Sequence, residues 1–296
     1  LFAFPLERGG GLQALALAGS LRRFGGRLAE APLLAVLPVE AGGVDDLTRS
    51  KLQALGVAFL PYEPEPRLAK VILGSKADAA QAAEAFARTR GFEALAWLDS
   101  DTLVLREPSE FLLPAGTQVA FRPVHHRLIG SRAAAPLDPF WRAVLDLSGV
   151  DPAQAFPVIS TVDREDIRFY PNAGCLAVRP EAGMLSAWQA SLVRAAETPA
   201  LLALVDNDPR RGLFLHQAVL AGAILSRIPR AGIRELSFVY NYPVHLHRKT
   251  PENLRPGKLE DLVTVRYEDF DALEHSGLPM AEATRQGVLG GNPVTE

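Results

Sequence analysis

From Leu1 to Phe121, short apolar runs alternate with stretches of helical spacing, and this alternation restricts the fold more than any other feature of the chain. Leu1-Phe4 reads as a strand, broken by Gly10-Gly11, and Leu12 to Phe24 has helical spacing. Pro32-Leu37 is a second strand, ended by Pro38. Asp45 or Asp46 caps a helix that runs to Leu55 and stops at Gly56. Val57-Leu60 follows as a third strand. Ser75-Lys76-Ala77-Asp78 has the form of a capping box ahead of an alanine-rich helix to Arg88. Ala94-Leu98 and Gln118-Phe121 are the fourth and fifth strands. Repetition of strand, helix and strand predicts an α/β fold, with a mostly parallel central sheet flanked by helices on both faces. In such sheets ligands bind beyond the carboxyl ends of the strands.

The second half is less regular. A helix lies within Pro136-Gly149, Phe169-Tyr170 and Cys175-Val178 are strand-like, and Glu181 to Ala196 is a helix. Leu213 to Ile228 is apolar almost all round, which predicts a buried helix. With no repeat and no linker, residues 1–280 read as one domain and 281–296 as a loosely packed tail. A chain of 296 residues is ample for a large core. Its net charge of -3 argues against a general nucleic-acid binder. Cys175 is the only cysteine, which excludes an intrachain disulfide and an all-cysteine metal site. It sits in an apolar run and reads as a buried structural thiol. No apolar stretch is long enough to span a membrane, and a cytoplasmic location is expected. The first residue is Leu1 rather than Met, which leaves room for a targeting segment ahead of it.

The strongest chemical signal is Trp97-Leu98-Asp99-Ser100-Asp101-Thr102-Leu103-Val104, an apolar strand running straight into two carboxylates one residue apart. Placing charges this close is costly unless a cation compensates them. Alternate side chains at a strand end point the same way, so Asp99 and Asp101 converge on one hard cation, Mn²⁺ or Mg²⁺. Such an ion bridges to phosphate oxygens. A plain solvated turn is the bland alternative. Haloacid-dehalogenase-like phosphatases also place two aspartates after an apolar strand, but Leu103 stands where their pattern has Thr or Val.

Four ordered segments resemble nucleotide-sugar-dependent glycosyltransferases of the GT-A fold, in particular family-eight-like bacterial members. They are the DxD-like Asp99-Ser100-Asp101, Tyr170-Pro171-Asn172-Ala173-Gly174, His216-Gln217 on an apolar helix, and Tyr240-Asn241-Tyr242. The resemblance implies transfer of a sugar from a nucleoside-diphosphate sugar to a hydroxyl acceptor (a glycan, a lipid or a small molecule). It also implies roles. Asp99 and Asp101 hold the metal and, with Ser100, face the nucleotide. Asn172 and Gly174 shape the sugar pocket, Gln217 sits near the reacting sugar, Asn241 lies on the donor site, and Lys76 faces the nucleotide.

The sequence also departs from that pattern. His216 stands where the family has Asp, and Arg266 stands where a late histidine supplies the third metal ligand. His247 is the expected substitute, since alternation in an extended segment places His245 and His247 on one face. Arg266 is alternatively a fixed positive charge that takes over part of the metal's role. His125-His126-Arg127 reads as a loop facing either solvent or the acceptor. An inverting reaction needs a carboxylate base, and Asp163, Glu165, Asp206 and Asp208 lie in loops suited to it. These departures keep open a degenerate domain that binds sugar nucleotide or glycan without turnover.

Overall fold

The computed structural model describes residues 1–39 and 44–289, with side chains described to residue 286. The sequence-read elements appear almost in place. They are β1 (Phe2–Pro5), α1 (Gly11–Phe24), β2 (Leu33–Pro38), α2 (Asp46–Ala54), β3 (Val57–Tyr62), α3 (Gly74–Thr89) and β4 (Leu95–Leu98). Asp45 caps α2 by accepting from the Thr48 amide at 2.9 Å. The capping box at the start of α3 does not form. Leu73 precedes the helix in a left-handed conformation, and Asp78 instead accepts from the Glu65 amide and the Gln189 side chain.

After β5 (Thr102–Val104) come β6 (Val119–Pro123), α4 (Pro139–Leu147), the hairpin β7 (Pro157–Ile159) and β8 (Asp166–Arg168), and β9 (Pro171–Val178). Three helices follow: α5 (Met184–Ala196), α6 (Pro199–Asp206) and α7 (Pro209–Arg227). The last described elements are β10 (Ile233–Glu235), β11 (Tyr242–Pro243), β12 (Thr264–Arg266), α8 (Phe270–Glu274) and α9 (Glu282–Leu289). The main sheet has the order β10-β6-β9-β4-β1-β2-β3, parallel except for β9, which runs against both β4 and β6. The α/β class and the mostly parallel sheet are as read from the sequence.

The sheet is buried on both faces, and this is why its strands read as unbroken apolar runs. One face carries Ala3, Leu34, Val36, Leu95 and Trp97 against α3, α5 and α7. The other carries Phe4, Leu33, Ala35 and Leu98 against α1 and α2. A small second sheet, β11-β12-β5, covers a third cluster that includes Leu103, Val265 and Tyr267. Within the stretch 281–296, Glu282–Leu289 is a helix that packs against α1. No helix among the described residues is long and apolar enough to cross a membrane.

Candidate active site

Two antiparallel strand pairings and one helix assemble the site. The end of β4 delivers Asp99. Because β9 is antiparallel to β4, its beginning lies beside that end, and the Asp99 amide donates to the Gly174 carbonyl at 2.9 Å. Asn172-Ala173-Gly174, which also reads as a turn, is therefore strand. The Asp99 carboxylate lies directly over Gly174, where a Cβ would come within 2.1 Å of Oδ2. Only glycine leaves room for it. Asn172 Oδ1 accepts from the Gly174 amide at 2.9 Å, which leaves the Asn172 amide hydrogens as donors. From α7, Gln217 Oε1 accepts from the Ala173 amide at 3.1 Å. The antiparallel pairing of β12 with β5 sets Arg266 opposite Thr102, next to Asp101.

Four charges meet there. Lys76 Nζ lies 2.6 Å from Asp99 Oδ1, and Arg266 Nη1 lies 3.6 Å from Asp99 Oδ2. Arg266 Nε donates to Asp101 Oδ2 at 3.1 Å. The Asp99 side chain is 8% exposed and that of Lys76 11%. Although Lys76 and Arg266 are close, neither Asp99 oxygen accepts a hydrogen bond of good geometry. Burial drives the Asp99 carboxyl upward, but Lys76 and Arg266 outweigh it and hold Asp99 below the ordinary value. At Asp101, burial and the neighbouring Asp99 charge outweigh Arg266 and raise the carboxyl. Burial, together with Lys76, brings His216 down to about 3, so its ring is neutral at neutral pH.

This cluster stands in the wall between two cavities of about 400 Å³ each. One lies over the loop that follows β1, with Glu7, Arg8, Gly9 and Gly10, and takes in Asp99, Ser100 and Asp101. The other takes in Tyr170, Asn172, Gly174, His216 and Gln217. Leu73, Lys76, Arg266 and Glu268 border both. Leu73 (φ 60°) and Glu268 (φ 65°) are held in the left-handed region that costs a non-glycine residue energy, a strain characteristic of functional sites. Glu268 was not legible in the sequence, because no motif marks it. The loop after β1 was legible in principle, from the rule that ligands bind at carboxyl ends of parallel strands.

The structure does not bring His247 to the carboxylates. Val244–Lys249 is a 3₁₀ helix rather than an extended segment, so His245 and His247 do not share a face. His247 Nδ1 pairs with the Tyr242 hydroxyl at 2.9 Å, outside the cleft. His245 does border the cleft, with Nε2 3.3 Å from Glu268 Oε1. Asn241 lies behind the wall rather than in it. Its left-handed backbone (φ 51°) donates to Thr264 Oγ1, and its carbonyl faces His125 Nε2 at 3.2 Å. His125 and His126 line the second cavity, whereas Arg127 pairs with Glu165.

None of the four loop carboxylates borders either cavity. Asp163 accepts from the Arg127 amide, Glu165 pairs with Arg127 and Arg132, Asp206 ends α6, and Asp208 caps α7. Cys175 is buried, and burial pushes its thiol up to about 12, as befits a structural cysteine.

The family model of the Rhodobacterales glycosyltransferase domain matches residues 9–226. The chain belongs to that family. The matched span of this glycosyltransferase includes Lys76, Asp99, Asp101, Asn172, Gly174, His216 and Gln217, while Asn241 and Arg266 lie beyond it. No curated protein matches the sequence. Among solved structures, the galactosyltransferase LgtC in complex with donor and acceptor sugar analogs is 12% identical. The match covers 97% of the glycosyltransferase and 99% of LgtC at a TM-score of 0.47. Core-mannan synthase A from Aspergillus fumigatus, in an Mn/GDP form, is 7% identical, with 79% and 72% covered at a TM-score of 0.49. The bifunctional glycosyltransferase WbbM is 12% identical at a TM-score of 0.46; the match covers 90% of this chain and spans only 45% of WbbM.

Proposed function

We propose that this glycosyltransferase moves the sugar of a nucleoside-diphosphate sugar to a hydroxyl of an acceptor. The observation that carries the reading is the cluster of buried Asp99 with the half-buried Asp101, Lys76 and Arg266 between two cavities. A sugar nucleotide has the matching form: a nucleoside, a charged diphosphate and a sugar. In this reading the nucleoside lies over the loop after β1, where the first turn of α1 has no side-chain cap. The diphosphate meets Lys76 and Arg266. The sugar reaches the second cavity, where the amide hydrogens of Asn172 and Gln217 orient its hydroxyls. The acceptor enters along His125, His126 and Leu246.

The chemistry of the donors present fits a divalent ion such as Mn²⁺ or Mg²⁺ of a particular kind. Two carboxylates face the cleft, and the buried oxygens of Asp99 are met only by the Lys76 and Arg266 cations. No group of three metal-binding side chains forms among the described residues. That suits an ion which takes one or two carboxylates and completes its shell with phosphate and water. Bound there, such an ion supplies Lewis-acid stabilisation of the departing diphosphate. Lys76 and Arg266 add fixed positive charge at the same place, which needs no reorganisation as the bond breaks.

Calorimetry with the Asp101→Asn variant tests the reading. With Mn²⁺ present, wild type is expected to bind a nucleoside diphosphate and the variant to lose that binding. Equal affinity in the two proteins would overturn the assignment.

A further inference from the structure

The charges around the carboxylate pair cancel. Asp99 and Asp101 contribute two negative charges, and Lys76 and Arg266 contribute two positive ones at 2.6 to 3.6 Å. The surrounding groups barely change this balance. Arg8 and Glu7 border the same cavity with opposite charges, and Glu268, which burial-neutralised His245 does not cancel, has a side chain 54% exposed, so solvent screens its charge. His216 and His125 are buried and neutral.

A neutral, largely desolvated cluster responds poorly to either ligand alone. A divalent ion by itself must displace Lys76 and Arg266 from the carboxylates, leaving two half-buried cations without partners, and a charge that loses its partner away from bulk water is destabilising. A diphosphate by itself draws Lys76 and Arg266 toward its own oxygens and leaves buried Asp99 facing two further negative charges. Together the ligands satisfy every group, with the ion on the carboxylates and on the diphosphate, and the diphosphate on Lys76 and Arg266. Among the described residues the cleft offers two carboxylate ligands and no third, so phosphate oxygens are needed to complete the shell.

We propose that Lys76 and Arg266 are internal counter-ions that close the carboxylate pair to a lone metal ion, so that a divalent cation and a nucleoside diphosphate enter the cleft only as a pair. This rests on the reading of the cleft as a nucleoside-diphosphate site. Linkage makes the coupling reciprocal: the factor by which Mn²⁺ tightens the diphosphate equals the factor by which the diphosphate tightens Mn²⁺.

Titration calorimetry on the whole chain tests it, using MnCl₂ alone, then UDP, GDP, ADP and CDP each in EDTA, then each nucleotide with Mn²⁺. The expected result is no saturable binding of Mn²⁺ alone and a mutual enhancement of about fiftyfold or more for the nucleotide that binds. Lys76→Met removes the counter-ion of Asp99 and is expected to bind Mn²⁺ without nucleotide, read independently by loss of the free-ion electron paramagnetic resonance signal. Arg266→Met serves the same purpose if circular dichroism finds Lys76→Met unfolded. Equal nucleotide affinity in EDTA and in Mn²⁺ would overturn the proposal while leaving the nucleotide site standing. So would Mn²⁺ binding to wild type alone as tightly as with nucleotide. If none of the four nucleotides binds in either condition, it is the reading of the cleft that fails. The counter-ion role is then decided by Mn²⁺ alone, and equal binding by wild type and both variants would end it.

Discussion

Gly174 shows how one missing methyl group defines the site. Its Cα lies directly under the Asp99 carboxylate, and a Cβ would stand 2.1 Å from Oδ2 and 2.6 Å from Cγ. Gly174→Ala therefore has to move Asp99 away from Lys76, and the expected result is loss of metal-dependent nucleotide binding in a folded protein, checked by calorimetry beside circular dichroism. Glu268 presents the opposite case, a side chain kept at a backbone position suited to glycine. Glu268→Gly is expected to stabilise the fold by about 1 kcal/mol, because the strain of a left-handed non-glycine residue is removed, while transfer slows because the carboxylate bordering both cavities is gone. Urea melts and a transfer assay separate the two effects. His216 gives a pH signature. Its folded value of about 3 lies below the ordinary 6.5, so below pH 6.5 the unfolded chain takes up a proton that the folded one refuses. Stability then falls as the pH drops through that window, by about 1.4 kcal/mol per unit from this group, and the loss is absent above it. Urea melts from neutral pH down to about 5 should show a shallower acid slope in His216→Gln.

At the level of elements, α3 carries two duties. Its start supplies Lys76. Its middle supplies Glu84, fully buried, which accepts from the amides of Leu185 and Ser186 and from the Ser186 hydroxyl, and so caps α5 from a neighbouring helix. Glu84→Ala leaves the first turn of α5 with buried unpaired donors and is expected to cost about 2 to 4 kcal/mol by thermal melting. The parts legible in the sequence are those in which local pattern decides. The apolar runs of β1 to β4 and the spacing of α1 and α3 are local properties, and so is the step from an apolar strand into Asp99. What was not legible depends on pairing over distance. Arg266, which the family resemblance alone sets near the metal's place, meets Asp101 across 165 positions, because a three-residue strand pairs with another three-residue strand. No periodicity marks strands that short. The reversal of β9 likewise follows from its place between β4 and β6 rather than from its own residues, and it turns an apparent Asn-x-Gly turn into a strand. His247 lies away from the carboxylates because the chain winds into a 3₁₀ helix at Val244–Lys249 instead of running extended.

For the molecule as a whole, the cleft lies where the main sheet meets the small sheet formed by β5, β11 and β12. The main sheet supplies Asp99 and Gly174, α3 and α7 supply Lys76 and Gln217, and the small sheet supplies Arg266. Catalysis in this account depends on charge placed beforehand at the point where the diphosphate leaves. The most direct measurement is release of nucleoside diphosphate from a panel of UDP-, GDP-, ADP-, CDP- and dTDP-sugars with Mn²⁺ and mixed hydroxyl acceptors, comparing wild type with Asp99→Asn. Turnover of one donor class by wild type is expected, with a loss of roughly a hundredfold or more in the variant, about 2.7 kcal/mol of transition-state stabilisation. No turnover of any donor class, or an Asp99→Asn enzyme as fast as wild type, would contradict it.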